Sequence, residues 1–360
     1  MKFFRMVVFI ACAVIFLTAA GCSSTGGSMP GDGEDLVVAF VPKLTGNAFF
    51  EAANEGAQEY ASNQGFTVEY VGDPVADANN QIAVIESLIE QNVAAICISS
   101  LDATALDDVL KQAMQAGINI VTWDSDVSGD ARSLMVSQGT PEQLGIMLVE
   151  MGAKSLASRG KNPTNEAIRY AWHYSQASVA DQNSWQIAGE AYIDATYPNW
   201  VNVAPQNYYS EQDAEKSVAV GQQIFADHPD IDLIICNDST ALPGQAEAAK
   251  LLGLTERDIT ITGFASPNAV REYCEDGIVE RWGLWDCQVQ GALGCYLAWY
   301  LASGHAVAVG EKIDVPEIGV VEVMPNTVLD AAAYTSNDSG TVLLPSRLEF
   351  TKENVGDYNF

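Results

Sequence analysis

Polar side chains suited to holding a hydroxylated molecule recur where apolar runs give way to turns. Lys43 follows LVVAFVP (36–42), and Asp124 and Asp126 follow INIVTW (118–123). Asn237, Asp238 and Ser239 follow IDLIIC (231–236), and Asp181-Gln182-Asn183 opens a helical stretch. An ionised carboxylate accepts two hydroxyl donors at once, whereas Lys only donates. The mixture suits a polyol, with adjacent hydroxyls to Asp and ring or carbonyl oxygens to Lys. Phe49, Phe50, Trp123, Trp172 and Trp285 could cover the C–H face of a sugar-like ring, although core filling competes for each.

Other chemistries find little support. The chain has no GxxxxGK[ST], no HExxH, no GxSxG, and no GxGxxG after a first strand. Its three His, at 173, 228 and 305, lack partners at metal spacing, so neither metal nor cofactor is expected. Asp124 and Asp181 could be cast as a glycosidase pair. A Lys across a cleft would hold such carboxylates ionised, which favours binding over proton transfer, so an enzyme is not expected. With 47 acidic and 17 basic residues the net charge is −30, which argues against a nucleic-acid partner.

The elements that must position these residues alternate. Nine apolar, strand-like runs lie at 36–42, 66–71, 94–99, 118–123, 167–172, 201–206, 231–236, 259–264 and 279–285, with helical patterns between them. This means α/β architecture with parallel sheets covered on both faces. Nine strands suit two doubly wound, Rossmann-like lobes better than one open sheet. The seam is expected near 133–143, after four strand–helix units. From Val320 the pattern shifts to short strands and turns, a tail expected to wander between the lobes. In open α/β sheets ligands bind beyond the carboxyl ends of the strands, where the polar residues above fall.

Residues 1–22 are a basic head, an apolar run and Ala19-Ala20-Gly21-Cys22. They resemble a bacterial lipoprotein signal with Cys22 as the acylated residue; an ordinary signal peptide cut nearby, or an uncleaved anchor, is the alternative. Residues 23–35 are rich in Gly and Ser and read as a flexible tether. The expected location is the extracytoplasmic face of the cell membrane, lipid-anchored. Of the remaining Cys, 97 and 236 sit in strand-like runs and are expected to pack in cores. Cys274 and Cys287 could pair, and Cys295 completes an odd set.

Longer motifs then narrow the reading. FVPKLTGNAFF (40–50), AMQAGINIVTWDSD (113–126), SQGTPEQLGIMLVEM (137–151), DQNSW (181–185), ALPGQAEAA (241–249), GLWDCQVQG (283–291) and VLLPSRLEFTKENVGDYNF (342–360) cover most of the mature chain. Together they resemble the type I, sugar-type periplasmic binding proteins of ABC importers, and within them the autoinducer-2-binding branch that serves Lsr transporters. The resemblance implies two lobes joined by a three-strand hinge: 36–137 plus 286–318 as the N-terminal lobe, 138–285 plus 319–360 as the C-terminal lobe. It implies ligand contacts by Lys43, Asp124, Asp181 and Gln182, and by the turn holding Asn237 and Ser239, where the branch has Pro and Ala. Phe50, Trp285 and Asp238 are further candidate contacts. The implied ligand is the cyclic tetrahydroxy furanose form of autoinducer-2, handed to a membrane permease. A simple sugar such as rhamnose or a pentose, or a role as a ligand-sensing receptor subunit in signalling or chemotaxis, are the other readings.

Overall fold

In the computed structural model, residues 36–330 and 339–360 are described. The expected signal peptide, the tether and Cys22 lie outside them. The chain builds a first sheet through β1 (Val37–Val41), α1 (Ala48–Gln64), β2 (Thr67–Tyr70), α2 (Ala78–Gln91), β3 (Ala95–Ile98), α3 (Asp107–Gln115), β4 (Asn119–Trp123) and β5 (Leu134–Ser137). It then crosses to α4 (Pro141–Ser158), β6 (Arg169–Tyr174), α5 (Ala180–Thr196), β7 (Val201–Asn202), β8 (Tyr208–Tyr209), α6 (Ala214–Asp227), β9 (Leu233–Cys236), α7 (Ala241–Leu251), β10 (Thr260–Gly263), α8 (Pro267–Glu275) and β11 (Arg281–Leu284). Helix α9 (Cys287–Ala302) returns to the first lobe, packing on α1, β3 and β4. The tail holds β12 (Lys312–Val315), β13 (Gly319–Glu322), β14 (Met324–Pro325), β15 (Gly340–Leu343) and β16 (Leu348–Thr351).

The first sheet has seven strands in the order β14-β15-β5-β4-β3-β1-β2; the second runs β10-β9-β6-β7, with β8 also on β6. Strand alternation sorts the first sheet's side chains into two cores. Val38, Phe40, Cys97 and Trp123 face α1 and α9, while Ala39, Val41, Ile96 and Ile98 face Ile85 and Leu88 of α2 and Leu110 of α3. Helix α9 is apolar on nearly every side and mostly buried, as a helix wedged between a sheet and another helix must be. Close packing of α1 on α9 requires glycine: a Cβ at Gly291 would overlap the carbonyl oxygen of Ala53, and one at Gly56 that of Gln288.

Four expectations need correction. The stretch 319–344 was expected in the C-terminal lobe, but β15 pairs in parallel with β5, Gly340 opposite Leu134, and β14 extends that sheet. The edge of β5 would otherwise be left open, and Val342 finds its buried place there. From Leu348 onward the tail does join the second lobe, with β16 antiparallel to β11 and the last residues bonded to α8 through Arg271 and Asn268. No helix separates β4 from β5; residues 124–133 form a loop instead of completing a fourth strand–helix unit. The run 201–206 yields only the two-residue β7, and β8 was not foreseen. Cys274 and Cys287 remain separate buried thiols.

Candidate functional site

The carboxyl ends of both sheets open onto one cavity, lined from the first lobe by Lys43, Phe49, Phe50 and Asp124. Gln182, Trp185, Gln212, Asn237, Asp238, Ser239, Phe264, Leu284 and Trp285 close it from the other side. Its aromatic wall is a cluster of edge-to-face contacts, with Trp285 against Phe49 at 5.8 Å, Phe264 at 5.5 Å and Trp185 at 6.0 Å between ring centroids.

Lys43 follows β1 and Asp124 follows β4, two parallel strands with β3 between them, so the carboxyl end of one sheet delivers both charges to one point. Lys43 Nζ lies 3.0 Å from Asp124 Oδ2, and both side chains are buried. Asp124 adopts a left-handed backbone, φ +57°, which Asp tolerates better than most residues. That conformation is held from two sides. Ser99 Oγ donates to Asp124 Oδ2 at 2.7 Å, and Gln138 Nε2 donates to the Asp124 carbonyl at 3.0 Å. Burial alone would lower the Lys43 pKa, but the carboxylates of Asp124, Asp181 and Asp238 outweigh it and hold the ammonium above its ordinary value.

On the second lobe, Asp181 and Gln182 sit in the first turn of α5. Ser125 Oγ donates across the cleft to Asp181 Oδ1 at 2.8 Å, while Asp181 Oδ2 is buried without a partner. Burial pushes the Asp181 carboxyl up to about 6, against the pull of Lys43 and with a further push from Asp124. Gln182 Oε1 accepts from Ser175 Oγ at 2.7 Å. Asn237 Nδ2 donates to the Gln182 carbonyl at 3.2 Å, leaving Asn237 Oδ1 buried and unpartnered. Asp238 Oδ1 accepts from the Thr240 and Ala241 amides; burial nonetheless raises its pKa. The sum is a small space with one cation, several carboxylates, and buried polar atoms that lack partners among the described residues. Such a space can grip hydroxyl groups from both sides.

The three chain crossings converge on Gln138, at the end of the first. Arg347 Nη1, in the third, donates to the Gln138 carbonyl at 2.8 Å. Gln138 Oε1 accepts from Gln290 Nε2 at 3.1 Å, and Gln290 Oε1 accepts from Trp285 Nε1, in the second crossing, at 2.6 Å. One side chain thus links the hinge to Asp124 and, through Gln290, to the cavity's Trp285.

Of the expected site residues, Lys43, Asp124, Gln182, Asn237, Ser239, Phe50, Trp285 and Asp238 line the cavity. Asp181 borders instead the neighbouring hollow that shares Asp124 and Trp185. Trp172 is a correction: it is buried in the second lobe, with Nε1 bonded to Glu190 at 2.7 Å. Trp123 lies under Phe40 and Phe49 as core. Asp126 is used by Arg132, and His173 is buried with Nδ1 against Gln245. Trp185, Gln212, Phe264 and Leu284 were missed. Trp185 could have been found, because it lies one helical turn from Asp181 and Gln182 in the DQNSW motif. Phe264 ends its strand-like run just as Trp123, Trp172 and Trp285 end theirs, so the same signal marks it. Nothing in the sequence marks Gln212.

Two lobes, three crossings and a polar cavity between opposed sheet ends define a two-lobed solute-binding protein. Residues 38–306 match the family model described as periplasmic binding protein domain, and the chain belongs to that family. Among solved structures it resembles LsrB from Clostridium saccharobutylicum in complex with AI-2, at 60% identity and TM-score 0.89, covering 90% of this chain and 100% of that one. A solute-binding protein from Clostridium phytofermentas with bound L-rhamnose shares the fold, with TM-score 0.79 at 20% identity, over 90% of this chain and 98% of that one. Among curated proteins, the D-ribose/D-allose-binding protein of Pseudomonas aeruginosa is 26% identical over 67% of this chain and 74% of its own length.

Proposed function

We propose that this chain is the solute-binding lipoprotein of an ABC importer and takes autoinducer-2, in its cyclic tetrahydroxy furanose form, between its lobes. The observation that carries this reading is the facing of Lys43 and Asp124 by Gln182, Asn237 and Asp238 across one cavity. The solved relative at 60% identity, a complex with AI-2, supports the choice of ligand. In this reading Asp124 and Asp181 accept ligand hydroxyls. Lys43 donates to a ligand oxygen and neutralises the carboxylates around it. Gln182 and the Asn237–Ser239 turn position the far side, and Phe50 and Trp285 cover the ring. Ligand touches both lobes and therefore favours the closed form, which a membrane permease reads. The ligand is released unchanged, so no catalysis is involved. Lipid on Cys22 moors the receptor outside the membrane.

Isothermal titration with autoinducer-2, L-rhamnose and D-ribose tests the choice. Tight, saturable binding of autoinducer-2, with the sugars weaker by at least about tenfold, is expected. Preference for a sugar would move the protein to simple-sugar uptake. A sensing rather than importing role would show as binding without loss of ligand uptake when the gene is deleted.

A further inference from the structure

Gln212 combines three features that the roles above leave unused. It lies in a turn where Glu211 and Gln212 both take left-handed backbones, φ +55° and +56°, a conformation costly for residues with a Cβ. The turn is held there from both ends. Upstream, the Ser210 amide bonds the Tyr174 carbonyl at 2.9 Å and the Glu211 amide bonds that of Ser175 at 2.7 Å. Downstream, Asp213 caps α6 by accepting from the Lys216 amide at 2.7 Å, and Lys216 Nζ pairs with Glu211 at 2.6 Å. The conformation aims the Gln212 side chain inward. The residue is more than nine-tenths buried, Nε2 has no partner among the described residues, and Gln212 lines both the cavity and a second, wider hollow. Backbone strain retained to bury an unpaired donor at a ligand cavity is the mark of a group awaiting an acceptor.

We infer that Gln212 is a specificity-determining residue, donating from Nε2 to a ligand oxygen at the second-lobe end of the site, across the cavity from the Lys43–Asp124 pair. The inference rests on the proposed reading of the cavity as a polyol site. It assigns the ligand a hydrogen-bond acceptor at that end, so analogues carrying only C–H groups there are rejected.

The test compares wild type with Gln212→Met, close in shape but without the donor, and Gln212→Gly, which relaxes the left-handed strain. Autoinducer-2, L-rhamnose and D-ribose are titrated in parallel with thermal melts of the ligand-free proteins. For whichever probe the wild type binds, both variants should lose about 10- to 100-fold in affinity. Their unliganded melting temperatures should stay level or rise, most for Gln212→Gly. Affinity within twofold of wild type would overturn the inference while leaving the polyol reading intact. Affinity and melting temperature falling together would also overturn it, making Gln212 a structural residue. A wild type that binds none of the three probes would remove the polyol reading and this inference with it.

Discussion

Ser125 Oγ, in the loop after β4, bonds Asp181 Oδ1, in the first turn of α5, so a 2.8 Å contact latches one lobe to the other. With that latch made, burial pushes the Asp181 carboxyl up to about 6. Opening exposes it and returns it toward the ordinary ~3.9. The closed form therefore binds a proton that the open form releases. Acid favours closure, fully below about pH 4; the advantage fades as pH rises through 6 and is gone above. Asp238, also raised by burial, adds a slope of the same sign. Small-angle scattering of the ligand-free protein from pH 4 to 7.5 should show expansion with rising pH. Asp181→Asn should flatten that slope, and an unchanged slope would remove Asp181 from the latch.

His173 gives the opposite linkage in global unfolding. Burial lowers its pKa to about 4, against ~6.5 when unfolded. The stability it confers is present above pH 6.5 and is lost as pH falls toward 4. Urea midpoints should therefore fall across that window, and less steeply in His173→Asn, whereas lobe closure should not respond to that substitution.

Removing Lys43 strands three buried carboxylates. Lys43→Met should cost about 3–5 kcal/mol in urea unfolding and abolish binding. Adding Asp124→Asn should restore part of the stability and none of the binding. Asp124→Asn alone keeps a side chain that accepts the left-handed backbone. It should leave the fold intact while weakening affinity about 100-fold or more.

Gln138→Leu deletes the donor to the Asp124 carbonyl and the acceptor of Gln290, although Gln138 itself does not line the cavity. A loss of about 1–3 kcal/mol in stability is expected. Ligand should dissociate faster in stopped-flow Trp fluorescence, because Trp285 and Asp124 lose their shared brace. Unchanged kinetics would confine Gln138 to a structural role.

Gly291→Ala forces a Cβ against the Ala53 carbonyl where α9 meets α1. Unfolding should become easier by about 1–3 kcal/mol. Affinity should hold, because the contact lies inside the first lobe and outside the cavity.

The sequence made the strands legible where apolar β-branched runs ended in polar turns, which is how Lys43, Asp124 and Asn237 came to mark one cleft. It hid features set by distant pairing. The place of Gly340–Leu343 depends on the open edge of β5, some 200 residues earlier, and no local pattern records that. Gln212 was equally invisible, since its left-handed backbone arises from the β6 end and the α6 cap together. The crossing hub was hidden for the same reason: Gln138, Gln290 and Arg347 meet only after three separate passages of the chain.

A crystal structure of the protein with autoinducer-2 tests the central claim most directly. The account predicts an intact ring with oxygens within hydrogen-bonding distance of Lys43 and Asp124 on one side and of Gln182 or Asn237 on the other, under Trp285. A ligand touching one lobe only, or seated outside this cavity, would contradict it.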